Sequence, residues 1–260
     1  MINKLKIAII QADLVWENGS QNRRNFSEKI NTISENVEVI VLPEMFSSGF
    51  TMQPKNVAEE MSGETVSWMQ KLASEKEAAV AGSVIIKEKG KLYNRFLFVH
   101  SSGKIDFYNK RHLFSLAGEH KVYTSGLEKI IIDFKGWKIC PQICYDLRFP
   151  VYTRNVENFD LLLFVANWPK PRINAWDALL KARAIENLCY VVGVNRVGED
   201  ANNLEYIGHS AAYDCLGTLQ SDKIEEDECV KIVELSKSHI KSTRSKLNFL
   251  ADKDNFKLLF

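Results

Sequence analysis

Three reactive side chains of this sequence stand where strand-like runs stop. Cys144 follows Trp137–Ile143, Glu44 follows Val39-Ile40-Val41-Leu42 after one proline, and Lys110 follows Lys104–Tyr108 after one asparagine. Runs of this kind read as strands, and sites in open α/β sheets gather beyond the carboxyl ends of strands. Asn167 and Asn195 stand at the ends of two further runs, Asp160–Ala166 and Cys189–Val194. A thiol, a carboxylate and an ammonium group meeting on one rim would make an acyl-transfer site. The thiol has to lose its proton to become the nucleophile, and Glu44 would accept that proton as general base. Lys110 would favour the thiolate and, with a backbone N–H beside Cys144, hold the tetrahedral oxyanion; one such donor is worth about 3 kcal/mol. Each residue also has a structural reading: Cys144 as a small core side chain, Glu44 as a helix cap, Lys110 as a solvated turn residue beside Arg111. Residue types and spacing alone leave these alternatives open.

The elements that would position these groups follow from periodicity. Lys6–Gln11 reads as a buried strand. A helix capped by Ser20 follows, with Phe26, Ile30, Ile33 and Val37 on one face. A second helix over Glu64–Glu77 carries Val66, Met69, Leu72 and Ala73. Strands Ala79–Ile86, Leu92–His100 and Lys104–Tyr108 form a meander, divided by Lys89-Gly90-Lys91 and Ser101-Ser102-Gly103. Residues 113–128 show no period and read as a long structured loop. Lys129–Phe134 pairs with Trp137–Ile143 through Lys135-Gly136, and Asp160–Ala166 is a further buried strand. Asn174, with Asp177 three residues on, is the expected N-cap of a helix whose inner face holds Trp176, Leu179, Leu180, Arg183 and Asn187. After Cys189–Val194 comes a polar loop, Gly198–Glu205, then strands near His209–Tyr213 and Cys229–Glu234. The tail, about 236–260, is charged and amphipathic and is expected to pack on a partner subunit. No linker or low-complexity stretch divides residues 1–260, so a single domain is expected. Hairpins among the strands imply mixed sheets, and helices on the outer faces give an α/β fold of four α-β-β-α layers.

Composition narrows the function classes. The chain has 34 basic and 33 acidic side chains, a balance that gives no electrostatic footprint for nucleic acid or an anionic membrane. The five cysteines are odd in number, and Cys140 and Cys144 are spaced for neither a redox pair nor a zinc half-site. With no P-loop, no G-x-G-x-x-G and no spaced His pair, no metal and no cofactor is expected. The first apolar run is too short for a signal-peptide core, and none approaches a membrane span. A soluble, cytoplasmic protein with reduced thiols is the expectation.

Leu42-Pro43-Glu44-Met45-Phe46, Tyr108-Asn109-Lys110-Arg111-His112-Leu113-Phe114 and Cys144-Tyr145-Asp146-Leu147-Arg148-Phe149-Pro150 resemble the three signature blocks of the nitrilase (carbon–nitrogen hydrolase) superfamily. They occur in the family order, Glu–Lys–Cys, at separations of 66 and 34 residues. Ala166-Asn167-Trp168-Pro169, Arg183-Ala184-Ile185-Glu186-Asn187 and Gly208-His209-Ser210 extend the similarity over nearly the whole chain. Within the superfamily the blocks are most similar to the bacterial omega-amidase (2-oxoglutaramate amidase) branch. The resemblance implies an αββα sandwich that dimerises, and cofactor-free hydrolysis through a Cys thioester. It also implies a second glutamate, Glu119, which would orient Lys110 and the substrate. One departure stands out: Ala175 precedes Trp176 where the branch would have His, which would remove a polar group near the pocket mouth.

The expected activity is therefore hydrolysis of a small omega-amide of a dicarboxylic acid, with Glu44, Lys110, Cys144 and Glu119 catalytic. Tyr145, through its backbone N–H, Asn167, Trp168 and Arg172 are the expected substrate-binding residues. Arg172 would grip a substrate carboxylate bidentately. Competing expectations are a nitrilase, an N-carbamoylase or an acyltransferase with the same three groups, and a non-catalytic interaction protein on the same fold. Cys140 is expected to be inert.

Overall fold

The structure, a computed structural model, describes residues 2–221 and 226–258. Strand β1 (Lys4–Gln11) is followed by helix α1 (Gly19–Asn31) and strand β2 (Val39–Val41), then by helix α2 (Glu64–Glu75) and strand β3 (Ala79–Glu88). These three strands are parallel neighbours. From β3 the chain turns back through β4 (Lys91–Val99) and β5 (Ile105–Asn109), both antiparallel additions. Lys89 and Gly90 join β3 to β4 with φ of 49° and 76°, the positive-φ pair that a two-residue hairpin turn of matching twist requires.

A short helix α3 (Glu119–Val122) precedes the second sheet, which begins with hairpin β6 (Ile132–Phe134) and β7 (Trp137–Ile143). Strands β8 (Leu161–Ala166) and β9 (Tyr190–Asn195) follow in parallel, connected by helix α4 (Ile173–Asn187). A separate hairpin, β10 (Val197–Glu199) with β11 (Glu205–Ile207), leads to β12 (Ala211–Tyr213), which pairs antiparallel with β9. Finally β13 (Cys229–Ser236) returns to the free edge of β1, and helix α5 (Lys237–Leu247) closes the domain.

Alternation along each strand explains the layering. Ile7, Ile9, Val39, Val41, Phe96 and Phe98 on one sheet meet Trp137, Ile139, Leu161, Leu163 and Val192 on the other in a shared core. The opposite face of the first sheet, including Ala8, Ile10 and Ile40, packs on Phe26, Ile30, Val66 and Met69 of α1 and α2. The opposite face of the second, including Cys140, Leu162 and Phe164, packs on Trp176, Leu180 and Ala184 of α4. Strands covered on both faces must be apolar throughout, hence the continuous runs in the sequence. Gly193 lets α4 approach closely, because a Cβ there would lie 2.6 Å from Leu180 Cδ1 and 2.7 Å from Trp176 Cζ2. The α-β-β-α sandwich with mixed sheets is thus the observed fold.

Several local expectations are corrected. Helix α1 is capped by Asn18, whose Oδ1 accepts from Gln21 N at 3.1 Å, while Ser20 lies inside the first turn. The helix ends at Asn31, so Ile33 and Val37 pack on its layer from outside it. Helix α4 starts at Ile173 with Arg172 at the cap position, not Asn174, and Asp177 serves instead as partner to His209 Nδ1 at 2.9 Å. The polar stretch read as a loop over Gly198–Glu205 contributes to the β10–β11 hairpin. In the tail, α5 docks on its own chain: Ile240 joins the central core, and Arg244 donates to Leu188 O (2.8 Å) and Phe159 O (2.6 Å). Beyond α5, Phe249 and Phe256 are exposed, while Lys253 Nζ donates to Asn155 O at 3.3 Å and Leu258 packs against the central core. Among the described residues no helix is long and apolar enough to cross a membrane.

Candidate functional site

Glu44, Lys110 and Cys144 converge from both sheets. Glu44 leaves β2 in a turn made possible by Met45 at φ 44°, whose N–H donates to Ser83 Oγ of β3 at 2.8 Å. Lys110 directly follows β5, and its N–H donates to Asn94 O of β4 at 2.9 Å. Cys144 directly follows β7 and opens a 3₁₀ turn, Cys144–Arg148. Its φ is 44°, a left-handed conformation that costs a non-glycine residue about 1 kcal/mol or more and persists only where surrounding contacts impose it.

The charged groups are fully buried and bonded to one another. Lys110 Nζ donates to Glu44 Oε1 at 2.9 Å and to both carboxylate oxygens of Glu119 at 3.0 Å. Glu119 also accepts from Phe114 N at 2.5 Å. Asn94 Nδ2 donates to Glu44 Oε1 at 2.7 Å, and Asn167 N donates to Glu44 Oε2 at 2.8 Å. Asn167 Nδ2 reaches the Glu44 carbonyl at 2.6 Å. The Glu44 carboxylate is thereby held on both oxygens before any substrate enters, as a preorganised base should be.

Two carboxylates share one ammonium here, and the titration behaviour follows. Burial pulls the Lys110 pKa down, but the Glu119 and Glu44 charges outweigh it and hold the ammonium well above its ordinary value. Burial pushes Glu119 up, against the pull of Lys110 and with the repulsion of Glu44. Burial also raises the Cys144 thiol, and Glu44 raises it further by charge and hydrogen bonding, with Lys110 opposing. The Cys144 sulfur thus favours the protonated thiol and stands beside a buried carboxylate. Cys144 Sγ lies 4.0 Å from Asn167 O.

Above the sulfur opens a cavity of about 300 Å³ lined by Lys110, Cys144, Tyr145, Asn167, Trp168 and Arg172, with Arg148 and Tyr206 among its other walls. Arg148 stacks over the Trp168 ring at 4.9 Å and Arg172 over the Phe114 ring at 5.1 Å, so two guanidinium groups face the same space. The Trp168 indole N–H is used internally, donating to Arg172 O at 2.7 Å. Tyr145 places its ring against Phe114 and Phe149. Its N–H lies in the first turn of the 3₁₀ segment, where a helix supplies no acceptor of its own. Among the described residues, no group of three or more His, Cys, Asp or Glu is placed to hold a metal ion.

All eight residues singled out in the sequence thus gather at one site. Two other expectations need correction. Ala175 itself does not line the cavity; its side chain packs, partly buried, against the α4 core. Asn195 is buried behind the rim, where its amide brackets the Trp168 backbone, accepting from the N–H at 2.8 Å and donating to the carbonyl at 2.9 Å. Sequence reasoning missed Asn94, which comes from mid-strand, and Arg148, which stood within the cysteine block as an available signal. It also missed Tyr206 and Asp200, which reach the cavity from the β10–β11 hairpin.

Residues 6–245 match the model of the carbon-nitrogen hydrolase family. The chain is 43% identical to "Omega-amidase YafV" of Escherichia coli K12, over 98% of each chain. It is 33% identical to a "2-oxoglutaramate amidase" of Bacillus subtilis, over 88% of this chain and 90% of that one. A crystal structure of XC1258 from Xanthomonas campestris, a CN-hydrolase superfamily protein with an arsenic adduct in its active site, superposes with a TM-score of 0.96. It is 41% identical and covers 99% of this chain and 100% of that one. A match over most of the chain, together with a buried Glu–Lys–Cys cluster at the ends of strands from two facing sheets, makes this chain a member of the carbon-nitrogen hydrolase family.

Proposed function

We propose that the protein is an amidase that hydrolyses the omega-amide of a small dicarboxylic acid of the 2-oxoglutaramate type. The observation that carries this reading is the Glu44 carboxylate, buried, held on both oxygens by Asn94 and Asn167, and close enough to the Cys144 thiol to raise its pKa, at the floor of a cavity walled by two arginines. The names of the full-length relatives point to the same substrate class.

The steps follow from the contacts. Glu44 takes the Cys144 proton as sulfur attacks the amide carbon, and the carbonyl oxygen becomes an oxyanion held by Lys110 Nζ and the Tyr145 N–H. Collapse breaks the C–N bond; Glu44 returns the proton to the departing ammonia and a thioester remains on Cys144. Glu44 then takes a proton from water as its oxygen attacks the thioester. The second oxyanion collapses, the sulfur regains its proton and the carboxylic acid leaves. Glu119 keeps Lys110 charged and aimed. Arg172, with Trp168 as the adjoining wall and Asn167 fixing Glu44, grips the distal carboxylate of the substrate.

The same reading places the protein in the cytoplasm as a homodimer. None of the five cysteines forms a disulfide, in keeping with a reducing compartment. Ile185 and Leu216 are 47% and 50% exposed beside Gly217, an apolar surface that a second copy would cover. A monomer mass by sedimentation would remove the dimer. Ammonia release from 2-oxoglutaramate, glutamine, a nitrile and an N-carbamoyl amino acid tests the substrate: 2-oxoglutaramate is expected to be fastest. A preference for the nitrile or carbamoyl compound would overturn the assignment.

A further inference from the structure

Asp146 lies two residues beyond Cys144, is completely buried, and takes no part in the steps above. Its two oxygens accept four hydrogen bonds. Oδ2 accepts from Ile143 N at 3.0 Å and from Tyr108 OH at 2.9 Å. Oδ1 accepts from His112 N at 3.0 Å and from His112 Nδ1 at 2.7 Å. Three of these donors come from Tyr108 and His112, which flank Lys110 on β5 and in the loop after it, while Ile143 immediately precedes Cys144. The network continues outward: Tyr108 OH accepts from Arg111 N at 3.0 Å, and the His112 ring stacks on Phe149 at 3.6 Å with 6° between planes.

One carboxylate therefore spans the two sheets at the level of the reacting groups. Lys110 is carried by the first sheet and Cys144 by the second; Asn167 ties Glu44 to the second sheet at this level, and Asp146 ties the segment around Lys110 to the cysteine elbow itself. Cys144 is also held in a left-handed conformation that its own preference disfavours. We propose that Asp146 is a positioning residue that sets the Cys144 sulfur against Lys110 and Glu44 by clamping the elbow to the segment on either side of Lys110. The proposal rests on the reading of Cys144 as the nucleophile. It explains why an acid is needed there: each oxygen faces a backbone N–H that cannot rotate away. An amide in its place must direct its NH₂ at one of those two donors, whichever way it is turned.

The test uses the full chain, with Asp146→Asn and Tyr108→Phe compared with the unaltered protein. Three quantities are measured: kcat and KM for ammonia release, the rate of Cys144 alkylation by iodoacetamide read from its peptide, and the thermal midpoint. Asp146→Asn is expected to lower kcat about a hundredfold, the scale of an ångström-sized misplacement, with KM within about threefold. Cys144 alkylation should slow about tenfold in protein that is still folded. Tyr108→Phe removes one donor of the four and should move the same two rates in the same direction by a smaller factor, which keeps the proposal testable if Asp146→Asn does not fold. Unchanged kcat and alkylation rate in the folded fraction, with only the midpoint lowered, would overturn the clamp and leave the nucleophile assignment intact. Ammonia release by Cys144→Ala would instead remove the nucleophile reading itself.

Discussion

Cys140 and Cys144 belong to the same stretch of chain, four residues apart, yet their surroundings differ in every respect that governs thiol chemistry. Cys140 lies within β7 on its outward face, completely buried among Leu162, Phe164 and the α4 side chains. Burial pushes its pKa up to about 12, and Gln142 Nε2 lies 3.4 Å from the sulfur. Cys144 lies one residue past the strand, partly accessible from the cavity and flanked by Glu44 and Lys110. Both thiols have raised pKa values, so acidity alone does not distinguish them. Cys144 differs in having the Glu44 carboxylate and the Lys110 ammonium beside it and a cavity through which a small molecule can arrive. The strand end supplies both, because there the pleat gives way to a turn and neighbouring strands of two sheets end at the same rim.

Substitutions at the two cysteines are the strongest way to break this contrast. Cys144→Ala should lower ammonia release by roughly 10⁴-fold or more while retaining the fold, and Cys140→Ala should leave kcat within about twofold at a stability loss of about 1 kcal/mol. A large kcat loss in Cys140→Ala, measured on folded protein, would erase the distinction. Lys110→Met asks whether the neighbours of Cys144 matter: kcat should fall about 10²- to 10³-fold. Denaturant unfolding should also show a loss of about 3–5 kcal/mol, because two buried carboxylates would be left without their cation. Arg172→Ala probes the cavity side. It should raise KM about tenfold for amides bearing a distal carboxylate, the loss of one charged hydrogen-bond partner, and leave KM for neutral amides unchanged.

The last contrast concerns pH and the Cys140 surroundings. Its folded pKa of about 12 lies above the ordinary value of 9.0, so the folded state keeps a proton that the unfolded state releases. That contribution is intact below about pH 9 and is lost as pH rises towards about 12, with a limiting slope of about 1.4 kcal/mol per pH unit. Denaturant midpoints measured across this range should fall less steeply in Cys140→Ala than in the unaltered protein.

How much of this was legible beforehand depends on the range of the interactions. Glu44 and Cys144 each follow an apolar run and Lys110 follows a hairpin strand, and a strand read from its own residues locates its own end. The fold followed from the same runs, because strands covered on both faces are apolar throughout. Asp146 was in plain view within the cysteine block, but its role is defined by donors at Tyr108 and His112, and no local pattern names a partner more than thirty residues away. Asn94 is a polar residue in the middle of β4, where strand periodicity marks only a buried position. Caps were misplaced at both long helices: Asn18 and Ser20 are equally good N-cap types, and α4 begins directly from a 3₁₀ turn, Lys170–Arg172, that provides no side-chain cap. The β10–β11 hairpin has only three residues per strand and a polar loop, too little for an alternation to register.

The central claim is that one sulfur of five carries the chemistry. Partial alkylation with iodoacetamide, followed by parallel assay of ammonia release and site-resolved peptide mass measurement, tests it directly. Activity should fall in one-to-one proportion to modification of Cys144, with Cys140 still unmodified when activity is gone. Protein fully alkylated at Cys144 that still releases ammonia, or activity loss that tracks another cysteine, would contradict it.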